Sequence, residues 1–244
     1  MGKGFWGLLR ESITEYGQKF ASILKVFLFL YLIPLVVITI LTLIFFASVY
    51  SSALVSIVQS GTFDAKQFFA TSDVSPLPLI LFAFVVGIIF AVFYFWTSIA
   101  YINISLETKK DIPFNSAFKF ARKNFWRYVG LVFLTIILLI PLFILLIVPG
   151  IIFLFFWMFS CFILLKDNSK IWESMKKSKA LVSGKWWRVF GYSLLIFILL
   201  FIASFIFGSI PFVGSIASYL VFVPIMILFF KNFYLELKKN SSKR

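Results

Sequence analysis

Residues 170–191 read KIWESMKKSKALVSGKWWRVFG, and this stretch decides the fold. Its apolar residues recur at helical spacing and most of its lysines fall on the other side, which is typical of an amphipathic helix on a membrane surface. The sequence Trp186-Trp187-Arg188 ends the helix, and a long apolar run follows at once. The stretch therefore predicts a basic interfacial helix followed by a membrane span.

The same pattern occurs 61 residues earlier in the chain. When residues 156–191 are aligned with residues 95–130, seven of the 36 positions are identical. Matches of Phe or Ile arise by chance in so apolar a chain, whereas two pairs of tryptophans are less expected. The identical pairs are Phe95 and Phe156, Trp96 and Trp157, Ile102 and Ile163, Lys109 and Lys170, Trp126 and Trp187, Arg127 and Arg188, and Gly130 and Gly191.

The composition favours a membrane protein. Hydrophobic residues make up 62% of the chain and charged residues 13%, with a mean hydropathy of +1.05, whereas a soluble domain carries about 25% charged residues. The apolar runs are long enough to cross a bilayer, for which about 20 residues are needed. Six runs of this kind are predicted as spans, at about residues 26–50, 79–104, 128–148, 151–165, 189–210 and 215–230.

We therefore predict an all-α integral membrane protein with six transmembrane helices in three hairpins, each preceded by a basic amphipathic interfacial helix. It forms a single membrane domain, 1–244, with units at about 1–104, 105–165 and 166–244. Tight turns are predicted at Pro149-Gly150 and between Pro211 and Gly214. The first helix, near residues 5–25, is expected to start with a capping box of Ser12 and Glu15. It is interpreted as a juxtamembrane helix in preference to a partner-binding one.

The positions of the cations predict the orientation. The net charge is +14, but the cations border the apolar runs, so nucleic-acid binding is not expected. Of the 23 Lys and Arg residues, 22 fall on one side of the predicted membrane and Lys66 falls on the other. By the positive-inside rule, both termini are cytoplasmic and the protein lies in the cell membrane.

The basic helices supply the candidate binding residues. Anionic headgroups of membrane lipids on the cytoplasmic side are the expected partners, beside an unidentified protein partner. We expect Arg127 and Arg188 to contact headgroup phosphates, although the same cations would also serve only to fix the topology. The full set of headgroup and interface candidates is Lys123, Trp126, Arg127, Lys185, Trp186, Trp187 and Arg188.

Catalysis is not expected from this sequence. Histidine is absent and Cys161 is the single cysteine, which removes the commonest general base and most metal-ligand patterns. Glu107 and Asp111 are spaced like a metal pair, but two lysines lie between them, which indicates a solvated loop. We predict a protein without a cofactor, a metal or an enzymatic activity.

Two non-enzymatic functions remain open. A carrier of ions or protons usually keeps ionisable groups in mid-membrane, and the six predicted spans contain none. A path for a lipid-like or hydrophobic solute is left open as the alternative to a lipid-interacting or partner-organising module.

The motifs of the third unit resemble those of a known family. Residues 173–178, ESMKKS, residues 181–191, LVSGKWWRVFG, and the turn Pro149-Gly150-Ile151 are similar to the membrane domain attached to some bacterial glycerophosphoryl diester phosphodiesterases. Related six-span families of uncharacterised prokaryotic membrane proteins share the pattern. The resemblance covers about residues 95 to 235. It implies a helical membrane module and no diesterase activity, because that activity belongs to a separate soluble barrel with histidines and metal-binding carboxylates.

Overall fold

A computed structural model describes residues 3–49, 51, 55, 76–208, 214, 216 and 218–241. The elements described there are helical throughout. They are α1 (Phe5–Phe27), α2 (Ile33–Val49), α3 (Pro76–Leu106), α4 (Phe114–Leu145), α5 (Ile147–Trp157), α6 (Ser160–Lys166), α7 (Ile171–Val182), α8 (Trp186–Gly208) and α9 (Val223–Ser241), with π-helical segments at Leu28–Leu32 and Ser218–Phe222.

Six helical runs among the described residues are long and apolar enough to cross a membrane. This confirms the predicted all-α, six-span membrane fold. Large apolar side chains on the spans lie outside the protein interior, as lipid-facing surfaces require: Phe84 is 65% exposed and Phe205 is 74% exposed. The six runs are Phe5–Val49, Leu77–Leu106, Phe114–Leu145, Ile147–Lys166, Trp186–Phe207 and Ser218–Ser241.

The chain forms two compact units whose boundaries differ from those of the three sequence units. One unit combines Met1–Phe27 with Phe95–Arg244, and the other is Leu28–Tyr94. In the larger unit, α1 packs most extensively on α9, so the first and the last described helices are in direct contact. In the smaller unit, Phe45 stacks on Phe82 with ring centroids 3.9 Å apart.

The basic helices join their spans in different ways. In α4, one unbroken helix of 32 residues contains both the basic segment and the span. In contrast, α7 ends at Val182, before α8 begins at Trp186. Between them Gly184 adopts a φ of 79°, which is accessible to glycine at little cost. The part of α4 before Trp126 contains no glycine, so the helix continues without a break from the basic segment into the span.

The predicted capping box in α1 is wrong. The helix begins at Phe5, so Ser12 lies inside it and cannot be its first residue. The Ser12 hydroxyl donates a hydrogen bond to the Leu8 carbonyl at 2.7 Å. A serine in a helix interior commonly bonds back to the preceding turn in this way.

The sequence predicts that Ile13 and Phe20 lie on the apolar side of α1 and that Lys19 and Ser22 face away from it, but the burial of these residues is different. Lys19 and Ser22 are 3% and 1% exposed, whereas Ile13 and Phe20 are 51% and 40% exposed. In a membrane protein, apolar side chains are stable on the outer surface, where they contact lipid, whereas polar side chains need hydrogen-bond partners in the protein interior. The buried face of α1 therefore combines the polar residues Ser12, Lys19 and Ser22 with apolar ones such as Leu8, Ile23 and Val26.

The turn predicted at Pro149 and Gly150 lies a few residues earlier. Leu146 is extended, with φ −155° and ψ 122°, and both predicted turn residues belong to α5. Proline is tolerated in the first turn of a helix because its missing N–H would have no partner there. At Gly150 a Cβ atom would lie 2.6 Å from the Phe143 ring, so glycine permits close packing of α5 on α4. Pro211 lies outside the described residues, and Gly214 is helical.

Two of the three prolines predicted inside spans follow a π-helical segment with the same spacing. Pro34 comes two residues after Leu28–Leu32, and Pro224 comes two residues after Ser218–Phe222. Proline removes one N–H donor and crowds the preceding turn, and a wider turn accommodates it. Pro141, in contrast, lies inside α4 without interrupting it.

The fourth span is broken near its middle, where α5 ends and α6 begins. Phe159 has φ −89° and ψ 0° at the break. Ser178 of α7 bonds both freed backbone groups: its hydroxyl donates to the Phe156 carbonyl at 2.7 Å and accepts from the Phe159 N–H at 3.2 Å. Since Ser178 is fully buried, α7 packs tightly against the break.

Candidate functional site

A buried ion network joins α1 to α9. The Lys231 ammonium donates to both Glu15 carboxylate oxygens, at 2.8 and 2.6 Å. Lys19 donates to the same carboxylate at 2.8 Å, and Asn232 does so at 3.3 Å. Side-chain exposure is 4% for Lys19, 7% for Lys231 and 17% for Glu15. One carboxylate thus compensates two buried ammonium groups.

Lys19 also binds the end of α3. Its ammonium donates to the carbonyls of Ile104, Ser105 and Glu107, at 2.8, 3.3 and 2.6 Å. The last carbonyls of a helix have no partner within the helix and carry its negative dipole end. Lys19 satisfies these carbonyls from a neighbouring helix.

A cleft of about 700 Å³ opens over this network, between α1, the end of α3 and α9. Five cations and three carboxylates line it, which gives a formal charge of +2. The cations are Arg10, Lys19, Lys110, Lys166 and Lys231, and the carboxylates are Glu11, Glu15 and Glu107.

Three of these cations are available to a ligand. Arg10, Lys110 and Lys166 are exposed, and none forms an ion pair with a carboxylate of the described residues. Lys166 lies over the Tyr234 ring, 5.9 Å from its centroid. Glu11, on the rim, pairs with Lys3 at 2.7 Å.

The predicted phosphate ligand Arg127 makes its contacts within the protein. Its guanidinium donates to the side-chain oxygen of Asn168 and, at 2.6 Å, to the Ser169 carbonyl. These bonds join α4 to the loop before α7, so part of the guanidinium is already engaged.

Arg188, the repeat counterpart of Arg127, is engaged in the same manner. It donates to the Lys3 carbonyl at 2.6 Å and to Glu236 at 2.9 Å. Its guanidinium also lies over the rings of Tyr192 and Phe233. The partners of the two arginines lie in different segments, so the structure does not bring them into one binding site.

The other predicted interface residues divide by exposure. Trp126 and Trp187 are 80% and 78% exposed, and Lys123 is exposed too. Trp186 is half-buried and donates to the Ile152 carbonyl at 3.4 Å. Lys185 is half-buried as well and donates to the Ser241 hydroxyl at 3.1 Å. Their role at lipid headgroups stays a prediction.

One of the exposed cations of α7, Lys177, has an acidic partner on the same helix. Lys177 contacts the Glu173 carboxylate at 2.7 Å, one helical turn away. The hydrogen bond from Lys177 lowers the pKa of Glu173 below its ordinary value, so this carboxylate stays charged at neutral pH. Across the described residues, no group of three His, Cys, Asp or Glu side chains is placed to hold a metal ion.

Sequence reasoning missed the residues of the buried network. Glu15 and Lys19 are spaced four apart, which is the signal of a helical ion pair. Lys231 directly follows the sixth predicted span, and the sequence predicts a basic tail from this residue onward, whereas α9 continues to Ser241. A lysine directly after a long apolar run, with helix on both sides, could have indicated a buried partner.

Comparisons with protein-family models, curated proteins and solved structures find no match. The resemblance to the membrane domain of the diester phosphodiesterases therefore stays a prediction.

Proposed function

We propose that this chain is a non-catalytic multi-pass membrane protein that binds anionic lipids on the side where its cations lie, predicted to be the cytoplasmic side. The observation that carries the proposal is a set of exposed cations that form no ion pair with a described carboxylate. Outside the cleft, these include Lys109, Lys119, Arg122, Lys123, Lys170, Lys176 and Lys179.

The energetics favour lipid over water as the environment of these side chains. A Lys or Arg near an anionic membrane surface gains about 1 kcal/mol from the headgroups. The contributions of several such cations on one leaflet add, so anionic lipid should stay bound to the protein. The exposed rings of Trp126 and Trp187 fit headgroup depth, where tryptophan is enriched.

Native mass spectrometry tests this proposal. The protein, extracted with an equimolar mixture of phosphatidylglycerol and phosphatidylcholine, should retain phosphatidylglycerol preferentially, because only this lipid carries net negative charge. The preference should fall as salt is raised, since ions screen exposed charges. Equal retention of the two lipids at low salt would contradict the proposal.

A transporter of a lipid-like or hydrophobic solute is the second candidate. The observation that favours it is an open groove of about 520 Å³ on α8 and α9, whose lining is apolar except for Ser204 and Ser218. The sequence predicts that such a path is lined by Asn103, Ser or Thr. Two serines line this groove, whereas Asn103 does not. Two results together would favour the transporter. The protein would bind no anionic lipid, and proteoliposomes that contain it would release a lipophilic dye faster than vesicles without protein.

A further inference from the structure

We infer that the cleft between α1, the end of α3 and α9 binds a phosphomonoester group. This inference rests on the proposed function, since it names the anion and the place where it binds. The cleft is separate from Arg127 and Arg188, which are the phosphate ligands expected from the sequence.

The charge of the cleft matches this ligand. Its formal charge is +2, and a phosphomonoester carries about −1.5 to −2 at neutral pH. A phosphodiester carries a single negative charge and would leave the cleft with a net positive charge. Among common membrane phosphates, the monoester is therefore the better partner.

The floor of the cleft is prepared for an anion. The end of a helix such as α3 would ordinarily repel a phosphate through its free carbonyls. Lys19 donates to three of these carbonyls and so neutralises this end. Glu15, which also lines the cleft, is paired with both Lys19 and Lys231, so its negative charge is balanced by their ammonium groups.

The walls supply the ligand contacts. Arg10, Lys110 and Lys166 line the cleft from three different segments: α1, the loop after α3 and the end of α6. A guanidinium binds phosphate oxygens in a bidentate manner, and ammonium groups bind them as point charges. A volume of about 700 Å³ is within the usual range of small-ligand sites.

The test compares two triple variants that remove the same charge. The cleft variant carries Arg10→Gln, Lys110→Gln and Lys166→Gln. The control variant carries Lys119→Gln, Arg122→Gln and Lys123→Gln, three exposed residues of α4 that do not line the cleft. Both lose two lysines and one arginine.

Binding is measured in nanodiscs that contain phosphatidate, phosphatidylglycerol or only phosphatidylcholine, and in detergent with soluble glycerol phosphate. Each cation near an anionic group contributes about a fivefold factor, so the cleft variant should bind phosphatidate about 100-fold more weakly than the wild type. The control variant removes three cations of the general lipid-binding surface, so it should weaken binding of phosphatidate and phosphatidylglycerol by the same factor and keep the preference for phosphatidate. The cleft variant should lose this preference. Binding of glycerol phosphate would identify a soluble ligand, and binding of phosphatidate alone would identify a lipid.

The failures of the two proposals are distinguishable. A wild-type protein that binds no anionic lipid contradicts the proposed function. A wild-type protein that binds phosphatidate, with the preference for phosphatidate retained in the cleft variant or lost equally in both variants, overturns only the cleft inference. Equal affinity for phosphatidate and phosphatidylglycerol overturns it too. The single change Lys110→Gln, in the loop after α3, should weaken binding about fivefold without affecting folding.

Discussion

Replacing Glu15 with glutamine is expected to lower the free energy of unfolding by about 3–5 kcal/mol, the usual cost of leaving a buried charge without its partner. The change keeps the size of the side chain and removes only its charge. Two ammonium groups, on Lys19 and Lys231, then stay buried with neutral acceptors alone. The measurement is the thermal unfolding of the purified protein in detergent.

Glu173→Gln is the matched control. It is the same substitution in an ion pair of the same i,i+4 spacing, but its side chains are about half exposed. Water screens the charges of an exposed pair, so the loss of this pair should have little effect on stability. If Glu15→Gln costs no more than Glu173→Gln, the buried network does not stabilise the fold.

A second change separates charge from packing in this network. Lys231→Met added to Glu15→Gln removes one of the two unpaired ammonium groups. The double variant should therefore unfold at a higher temperature than Glu15→Gln alone. A lower unfolding temperature would show that Lys231 acts through contacts other than its charge.

Replacing Ser178 with alanine has the other large expected effect, about 2–6 kcal/mol, because two backbone groups lose their partner and each such group costs about 1–3 kcal/mol when buried. The two groups are the Phe156 carbonyl and the Phe159 N–H at the break of the fourth span. Labelling of Cys161, which lies two residues beyond Phe159, by a thiol reagent should also become faster.

Ser174→Ala is the control for this prediction. Ser174 is also fully buried on α7, but its hydroxyl donates only to the Lys170 carbonyl of the preceding turn. That carbonyl already accepts the Ser174 N–H, so its loss should have little effect. Equal destabilisation by the two changes would contradict the proposed role of Ser178.

The spans could be predicted from the sequence because they depend on local composition. An apolar run of sufficient length crosses the membrane whatever surrounds it. The same reasoning failed for α1, where apolar and polar residues alternate at helical spacing. Periodicity shows that Ile13 and Lys19 lie on different faces, but it does not show which face meets the protein.

The cleft over the buried ion network could not be predicted either, and the reason is different. Lys231 and Glu15 are 216 positions apart, and nothing in either segment identifies the other. The predicted arginines have a local signal, since each follows a tryptophan at the start of an apolar run. That signal predicts that Arg127 and Arg188 lie where spans begin. It did not show that their guanidinium groups are hydrogen-bonded within the protein.

The central claim is that nearly all cations face one leaflet, predicted to be the cytoplasmic one, and cysteine labelling in intact cells tests it most directly. Cys161, the single cysteine, is first replaced by alanine, and one cysteine is then introduced at Lys66, Lys123 or Lys176. A membrane-impermeant maleimide should label the Lys66 position in intact cells and the other two only after permeabilisation. Labelling of the Lys123 or Lys176 position in intact cells would contradict the account.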